Sequence, residues 1–300
     1  MANSKSKSGA QNVIPGRVTF LDGQNELPML EVSTAWSTAE IYLLGAHVTR
    51  FKKNDEPPLL FMSQCSRFEA GHPIRGGIPV ILPWFGMREG LGMHGFARVK
   101  TWDLKEFIPA PDGSVSVRLR LPESPEASAF PPFSADYVVT VNEALTLQLA
   151  VTNNSRDEEL ALEDCLHTYF EVGDINQVAI TGLKGVEYLD KVANFAKKTE
   201  TADAIRIASE VDRVYLSTTA PVEILDPALK RRVLIEKQGS VSTVVWNPWI
   251  AKAHQMPDFG NEEYTRMVCV ESGNVSANGL KLPPGATSTL TVKLSSHPLG

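Results

Sequence analysis

Alternation is the feature that most constrains this chain. Across residues 115–121, the apolar Val115, Val117, Leu119 and Leu121 alternate with Ser116, Arg118 and Arg120. A period of two matches the pleat of a β-strand, so the segment has one face to bury and one to leave in water. Leu145, Leu147, Leu149 and Val151 repeat the pattern, as do Leu290, Val292 and Leu294. Shorter apolar runs at residues 18–21, 29–32 and 41–44 read the same way. No long segment pairs a 3.6-residue period with helix caps. Many short strands separated by Gly, Pro, Asn and Asp predict an all-β chain, an antiparallel sandwich or barrel. Residues 122–133, PESPEASAFPPF, read as a connection with one short helical turn.

Composition supplies the core and narrows the partners. Hydrophobic residues make up 43% of the 300 and charged residues 21%, which excludes global disorder. No repeat or flexible linker divides the chain, so residues 12–298 read as one large β domain behind a disordered tail over residues 1–11. That tail is polar and basic, with no apolar stretch of the signal-peptide kind. A net charge of -6 argues against nucleic acid, although a local basic pocket for a small anion remains compatible with it. No stretch is long and apolar enough to span a bilayer. Cys65, Cys165 and Cys269 are odd in number and far apart, which suits a reducing compartment rather than a disulfide framework or zinc motif. The expectation is a cytoplasmic monomer.

Chemistry concentrates in a few places. Residues 74–102, IRGGIPVILPWFGMREGLGMHGFARVKTW, follow neither the helical nor the strand period. Glycine and proline thread this stretch among Arg75, His94 and Arg98, as in a rigid binding loop, although a surface loop with solvated arginines fits composition equally well. His167 closes an apolar run in CLHTYF and could be a general acid; on residues alone, a histidine satisfied by backbone at a sheet edge is favoured. Glu271 follows MVCV and shares a strand face with Cys269. Buried, it would be a raised-pKa base; exposed, it would do nothing. Asp212 and Arg213 read as an exposed pair or a turn, and Trp246 with Trp249 as an apolar platform. His94, His167 and Glu271 are metal-ligand types, but no metal spacing connects them, so no metal is expected. A GxSxG elbow and a phosphate-binding GxxxxGK[ST] loop are both missing.

In order, RGGIPVILPWFG, HGFAR, LHTYF, VVWNPW and CVESGNV resemble the aldose 1-epimerase (mutarotase) superfamily, within it the hexose-6-phosphate mutarotase branch. The resemblance covers nearly the whole chain past the tail. It implies a galactose-mutarotase-like β-sandwich that interconverts the α and β anomers of a hexose 6-phosphate without a cofactor. It also implies His167 and Glu271 as catalytic acid and base, and Arg75, Arg98 and Asp212 as substrate contacts, with His94 in the same cleft. Trp246 would form a wall. Met93 departs from the branch, which often carries a polar residue there, and a thioether is a poor hydrogen-bonding group. Two other functions compete: the same chemistry on unphosphorylated aldoses, and a non-catalytic sugar-binding sandwich. A glycosidase using Asp212 and Glu271 fits less well.

Overall fold

A computed structural model describes residues 14–300; the tail placed at residues 1–11 lies outside the described residues. Two large antiparallel sheets organise the chain. The nine-stranded sheet runs, in spatial order, Ala204–Ile205, Ala179–Thr181, Val222–Asp226, Arg231–Gln238, Thr287–Pro298, Leu145–Asn153, Phe133–Val141, Val115–Arg120 and Asp103–Pro109. All three alternating segments of the sequence lie in it. Leu145 pairs with Leu294 and Leu149 with Leu290, so their apolar faces coincide and are fully buried. The eight-stranded sheet runs Ala196–Thr199, Glu187–Asp190, Val211–Leu216, Ser242–Asn247, Met267–Asn274, Asp164–Leu166 and Val80–Ile81, with Tyr169–Glu171 also pairing onto Met267–Asn274. A four-stranded sheet, Val18–Asp22 to His47–Lys53, packs alongside.

One apolar core joins them. Val117, Leu119, Leu147 and Val292 from the nine-stranded sheet share it with Leu166, Tyr215, Val245, Val268 and Val270 from the eight-stranded sheet, and with Leu30, Ile41 and Val48. Burying each such aliphatic side chain contributes about 1.5–3 kcal/mol, so the sandwich outweighs any local helical preference. Among the described residues the α-helix content is a single piece, Trp249–Ala253. The proline-rich connection carries one 3₁₀ turn, Pro125–Ala129, as expected. The run at 41–44 does not continue as strand: Ser37–Tyr42 ends at Tyr42, where the backbone turns through Gly45 and Ala46, both at positive φ.

The eight-stranded sheet has a second face, and alternation decides what it carries. Leu166, Phe170, Val268 and Val270 point into the core. Cys165, His167, Tyr169, Cys269 and Glu271 therefore project from the opposite side. That side forms a cleft walled by residues from three further segments, among them Phe85 and His94, Lys191 and Phe195, and Lys252 and Met256. Gly95 shows why glycine is needed beside these walls. It sits at φ 66, and an added Cβ would collide with the Leu82 carbonyl oxygen, which accepts from the N–H groups of Phe96 and Ala97.

Asp164, on the same strand face as Leu166, is fully buried. Its Oδ1 accepts from the backbone and side chain of Asn274, while Oδ2 has no partner. Burial pushes its carboxyl up to about 7. The folded protein thus holds this proton more tightly than the unfolded chain does. The associated stability is complete below the unfolded value near 3.8 and declines as pH rises toward 7. Asp164→Asn is expected to remove that decline, worth up to about 4 kcal/mol. Urea unfolding at pH 5 and pH 8 checks it: wild type should lose more stability between the two than the variant.

Candidate active site

Register brings the two proposed catalytic residues together. Leu166 pairs with Ser272 and Tyr169 with Cys269, so His167 falls opposite Glu271 on the neighbouring strand. His167 is at an interruption of the ladder: its backbone N–H donates to the Pro79 carbonyl at 3.0 Å. Its Nε2 faces Glu271 Oε1 at 3.3 Å. Across the sheet, Glu271 is paired with Val244, and Val244 with Val214. The adjoining row carries Tyr169, Cys269, Trp246 and Asp212. All seven residues expected at a site, Arg75, His94, Arg98, His167, Asp212, Trp246 and Glu271, line one cleft of about 730 Å³.

Burial sets the electrostatics of the pair. Glu271 is 1% exposed, although its strand face points away from the sandwich core, because the walls of the cleft exclude water from it. Burial, with the nearby Asp212 charge, pushes its carboxyl well above the ordinary range; Lys191 and a Cys165 contact oppose this. The Cys165 thiol donates to Glu271 Oε2 at 3.5 Å. His167 shifts the other way: burial, then the Arg75 and Arg98 charges, hold it well below the ordinary imidazole value. Each partner is driven toward its neutral form: burial raises the Glu271 carboxyl and lowers the His167 imidazole. Nδ1 of His167 is buried with no protein partner, so the ring is not satisfied by backbone as the residues alone suggested.

His94 lies edge-on to His167, ring centres 5.6 Å apart. Its Nδ1 accepts from the Gly86 N–H at 3.1 Å, which leaves Nε2 as the protonated, donating nitrogen. It holds φ 64, a left-handed conformation uncommon outside glycine, and such strain collects at functional sites. Burial, then His167 and Arg98, keep it neutral.

The arginines are not the solvated pair that a surface loop would present, and they differ from each other. Arg75 is fully engaged: Nη1 donates to the Tyr169 hydroxyl at 2.9 Å, while Nε and Nη2 reach Asp258 Oδ2 at 3.2 and 3.1 Å. Asp258 balances its charge. Among the described residues, Arg98 has only the Met93 carbonyl, accepting from Nη2 at 2.7 Å, and its buried Nε lacks a partner. Burial and the neighbouring Arg75 lower Arg98 to about 10. It is the cleft arginine without a carboxylate partner. Met93 therefore serves through its backbone; its side chain stands half exposed at the rim with Met87, Val192 and Phe195.

Two local expectations change. Asp212 and Arg213 are not a pair, because consecutive strand residues face opposite ways. Asp212 turns into the cleft and meets Lys191 at 2.8 Å, while Arg213 binds Glu200 on the other face at 3.0 Å. Trp246 walls the cleft, edge-on to His167, but Trp249 packs on Tyr264, so they form no common platform. Lys191, stacked over Phe85 at 5.5 Å, escaped sequence reading because a lysine in a polar turn carries no signal. Asp258 escaped it because its partner is 183 positions away.

Comparison with known proteins agrees with this geometry. The aldose 1-epimerase family profile matches residues 28–295. A protein of Cenchrus ciliaris, provisionally named a glucose-6-phosphate 1-epimerase, is 36% identical over 269 residues, covering 87% of this chain and 82% of its own. One from Escherichia coli with the same provisional name is 35% identical over 255 residues, 84% of this chain and 85% of its own. The crystal structure of a provisionally named mutarotase from Salmonella typhimurium superposes with TM-score 0.87 at 27% identity, covering 96% of each chain. A galactose 1-epimerase from Lactobacillus acidophilus shares the fold at TM-score 0.74 and 13% identity, over 94% of this chain and 99% of its own. A mutarotase-like sandwich whose facing histidine and glutamate share one cleft thus belongs to the aldose 1-epimerase family.

Proposed function

We propose that the chain interconverts the α and β anomers of a hexose 6-phosphate, with glucose 6-phosphate as the reference substrate. The observation that carries this reading is the buried His167–Glu271 pair, 3.3 Å apart, in a cleft that also holds an unbalanced arginine. Residues 12–298 would act as one domain, a cytoplasmic monomer. Among the described residues, no helix is long and apolar enough to cross a membrane.

Opening a cyclic hemiacetal requires removal of the proton on the C1 hydroxyl and delivery of one to the ring oxygen. Glu271 as carboxylate takes the first and His167 as imidazolium gives the second; the C1–O5 bond breaks and the aldehyde forms. Rotation about C1–C2 exposes the other carbonyl face, and both transfers reverse. The active arrangement differs from the resting neutral pair by one proton moved from Glu271 to His167. Substrate favours that move. A 6-phosphate beside Arg98 and Arg75 offsets the positive charges that, after burial, hold His167 down. Anion binding and acid activation are then coupled. Asp212 and the neutral His94 would orient sugar hydroxyls, and Trp246 would meet the apolar C–H face.

Magnetisation-transfer NMR on glucose 6-phosphate and glucose tests this. Faster exchange above buffer with the phosphate, including a higher turnover at saturation, is the expected result. Equal turnover on glucose would replace this reading with a general aldose epimerase. No acceleration of either sugar would leave a binding protein.

A further inference from the structure

Nothing in the acid–base chemistry uses Cys269, although it shares a strand face with Glu271. Its thiol is fully buried between Tyr169 and Trp246 in a small apolar cluster. His167, Cys269 and Glu271 each present one ligand-type atom, all within 4.8 Å of one another. A tetrahedral zinc ion, with nitrogen and oxygen near 2.0–2.2 Å and sulfur near 2.3 Å, sets its ligands about 3.4–3.7 Å apart. His167 Nε2 and Glu271 Oε1, 3.3 Å apart, already stand at that spacing. The Cys269 ligand atom lies within 4.8 Å of both, and the cation would draw it inward.

The donor set selects the metal. Imidazole and thiolate suit zinc and similar soft cations, whereas magnesium and calcium require oxygen. Three protein ligands leave a fourth position, and His167 and Glu271 open it toward the cleft. A second observation concerns the same nitrogen: His167 Nε2 is already aimed at Glu271 without any turn of the ring, from a side chain that is itself buried.

We propose that His167, Cys269 and Glu271 form an inhibitory site for a thiophilic divalent cation of the zinc class, occupied in competition with the sugar. Binding displaces the Cys269 thiol proton and the proton of the Glu271–His167 pair to solvent. It ties up both groups that would carry protons in turnover. The inhibitory consequence rests on the function proposed above; occupancy of the site does not.

Cobalt(II), which reports thiolate ligation in its spectrum, tests occupancy directly. The full chain is used in a Cys65→Ser background, because Cys65 is an exposed thiol. The expected result is a near-ultraviolet sulfur-to-cobalt band with intense tetrahedral visible bands, removed by zinc and by saturating glucose 6-phosphate. In Cys269→Ala the sulfur band should vanish and zinc affinity fall at least about 100-fold, since even partners outside the ligand shell are worth about 10–100-fold. Absence of the band in the parent protein overturns the proposal. So does a band that survives in Cys269→Ala or disappears instead in Cys165→Ala. If Cys269→Ala fails to fold, Cys269→Ser decides: it keeps the size of the side chain without the sulfur, and a sulfur band that persists in it overturns the proposal. Zinc should inhibit anomer exchange competitively, and chelation should restore it. A parent protein that binds cobalt but accelerates no exchange would refute the epimerase reading while leaving the metal site standing.

Discussion

Replacing Glu271 by glutamine is expected to lower kcat/KM for glucose 6-phosphate by about 10²–10⁴, the usual worth of one positioned proton-transfer group. The amide keeps the size of the side chain but cannot take the C1 hydroxyl proton. The fold should survive, because burial now penalises Glu271 and a neutral amide relieves that penalty. KM should move little, since the loss belongs to the transition state. His167→Gln should show a loss of the same order, and the double variant little more than the worse single one, because the two residues act as a unit. Magnetisation-transfer NMR over a range of enzyme concentrations measures each rate. Exchange within a few-fold of wild type in Glu271→Gln would remove the carboxylate from the mechanism.

Arg98→Ala is expected to cost about 10–100-fold in kcat/KM with glucose 6-phosphate and almost nothing with glucose. A hydrogen bond to a charged group is worth about 1.5–3 kcal/mol, and 1.4 kcal/mol is a factor of ten. The contrast with Arg75 sharpens the test. Arg75 already spends its guanidinium on Asp258 and Tyr169, so Arg75→Ala leaves the partly buried Asp258 without its partner and should reduce stability as well as activity. Arg98 has no such carboxylate, so its loss should act mainly on the substrate anion. Progress curves on both sugars for both variants, with thermal melts alongside, separate these outcomes. An equal loss on glucose in Arg98→Ala would show that the arginine supports the loop through the Met93 carbonyl rather than binding phosphate.

Much of the site was visible in the residue order. The RGGIP, HGFAR, LHTYF and CVESG blocks carried the resemblance, and Arg75, His94, Arg98, His167, Asp212, Trp246 and Glu271 do line one cleft. Their alliances were not visible. Arg213 stands beside Asp212 in sequence, yet the alternation of the strand sends them to opposite faces, and Lys191 takes the place beside the aspartate. Trp249 is three residues from Trp246 but starts a short helix and packs on Tyr264, so only Trp246 lines the cleft.

The sequence by itself determined the two-residue period, and with it the strands and the buried face of each sheet. It also determined which chemical groups were available, because the short motifs are local. Tertiary structure decided which groups meet and which lose water. The register of Leu166 with Ser272 sets His167 against Glu271, and the walls of the cleft exclude solvent. Alternation fixes only a side of the strand, so it left Glu271 equally compatible with water. Proton affinity depends on solvation and on charges a few ångströms away, and both are supplied by segments distant in the chain.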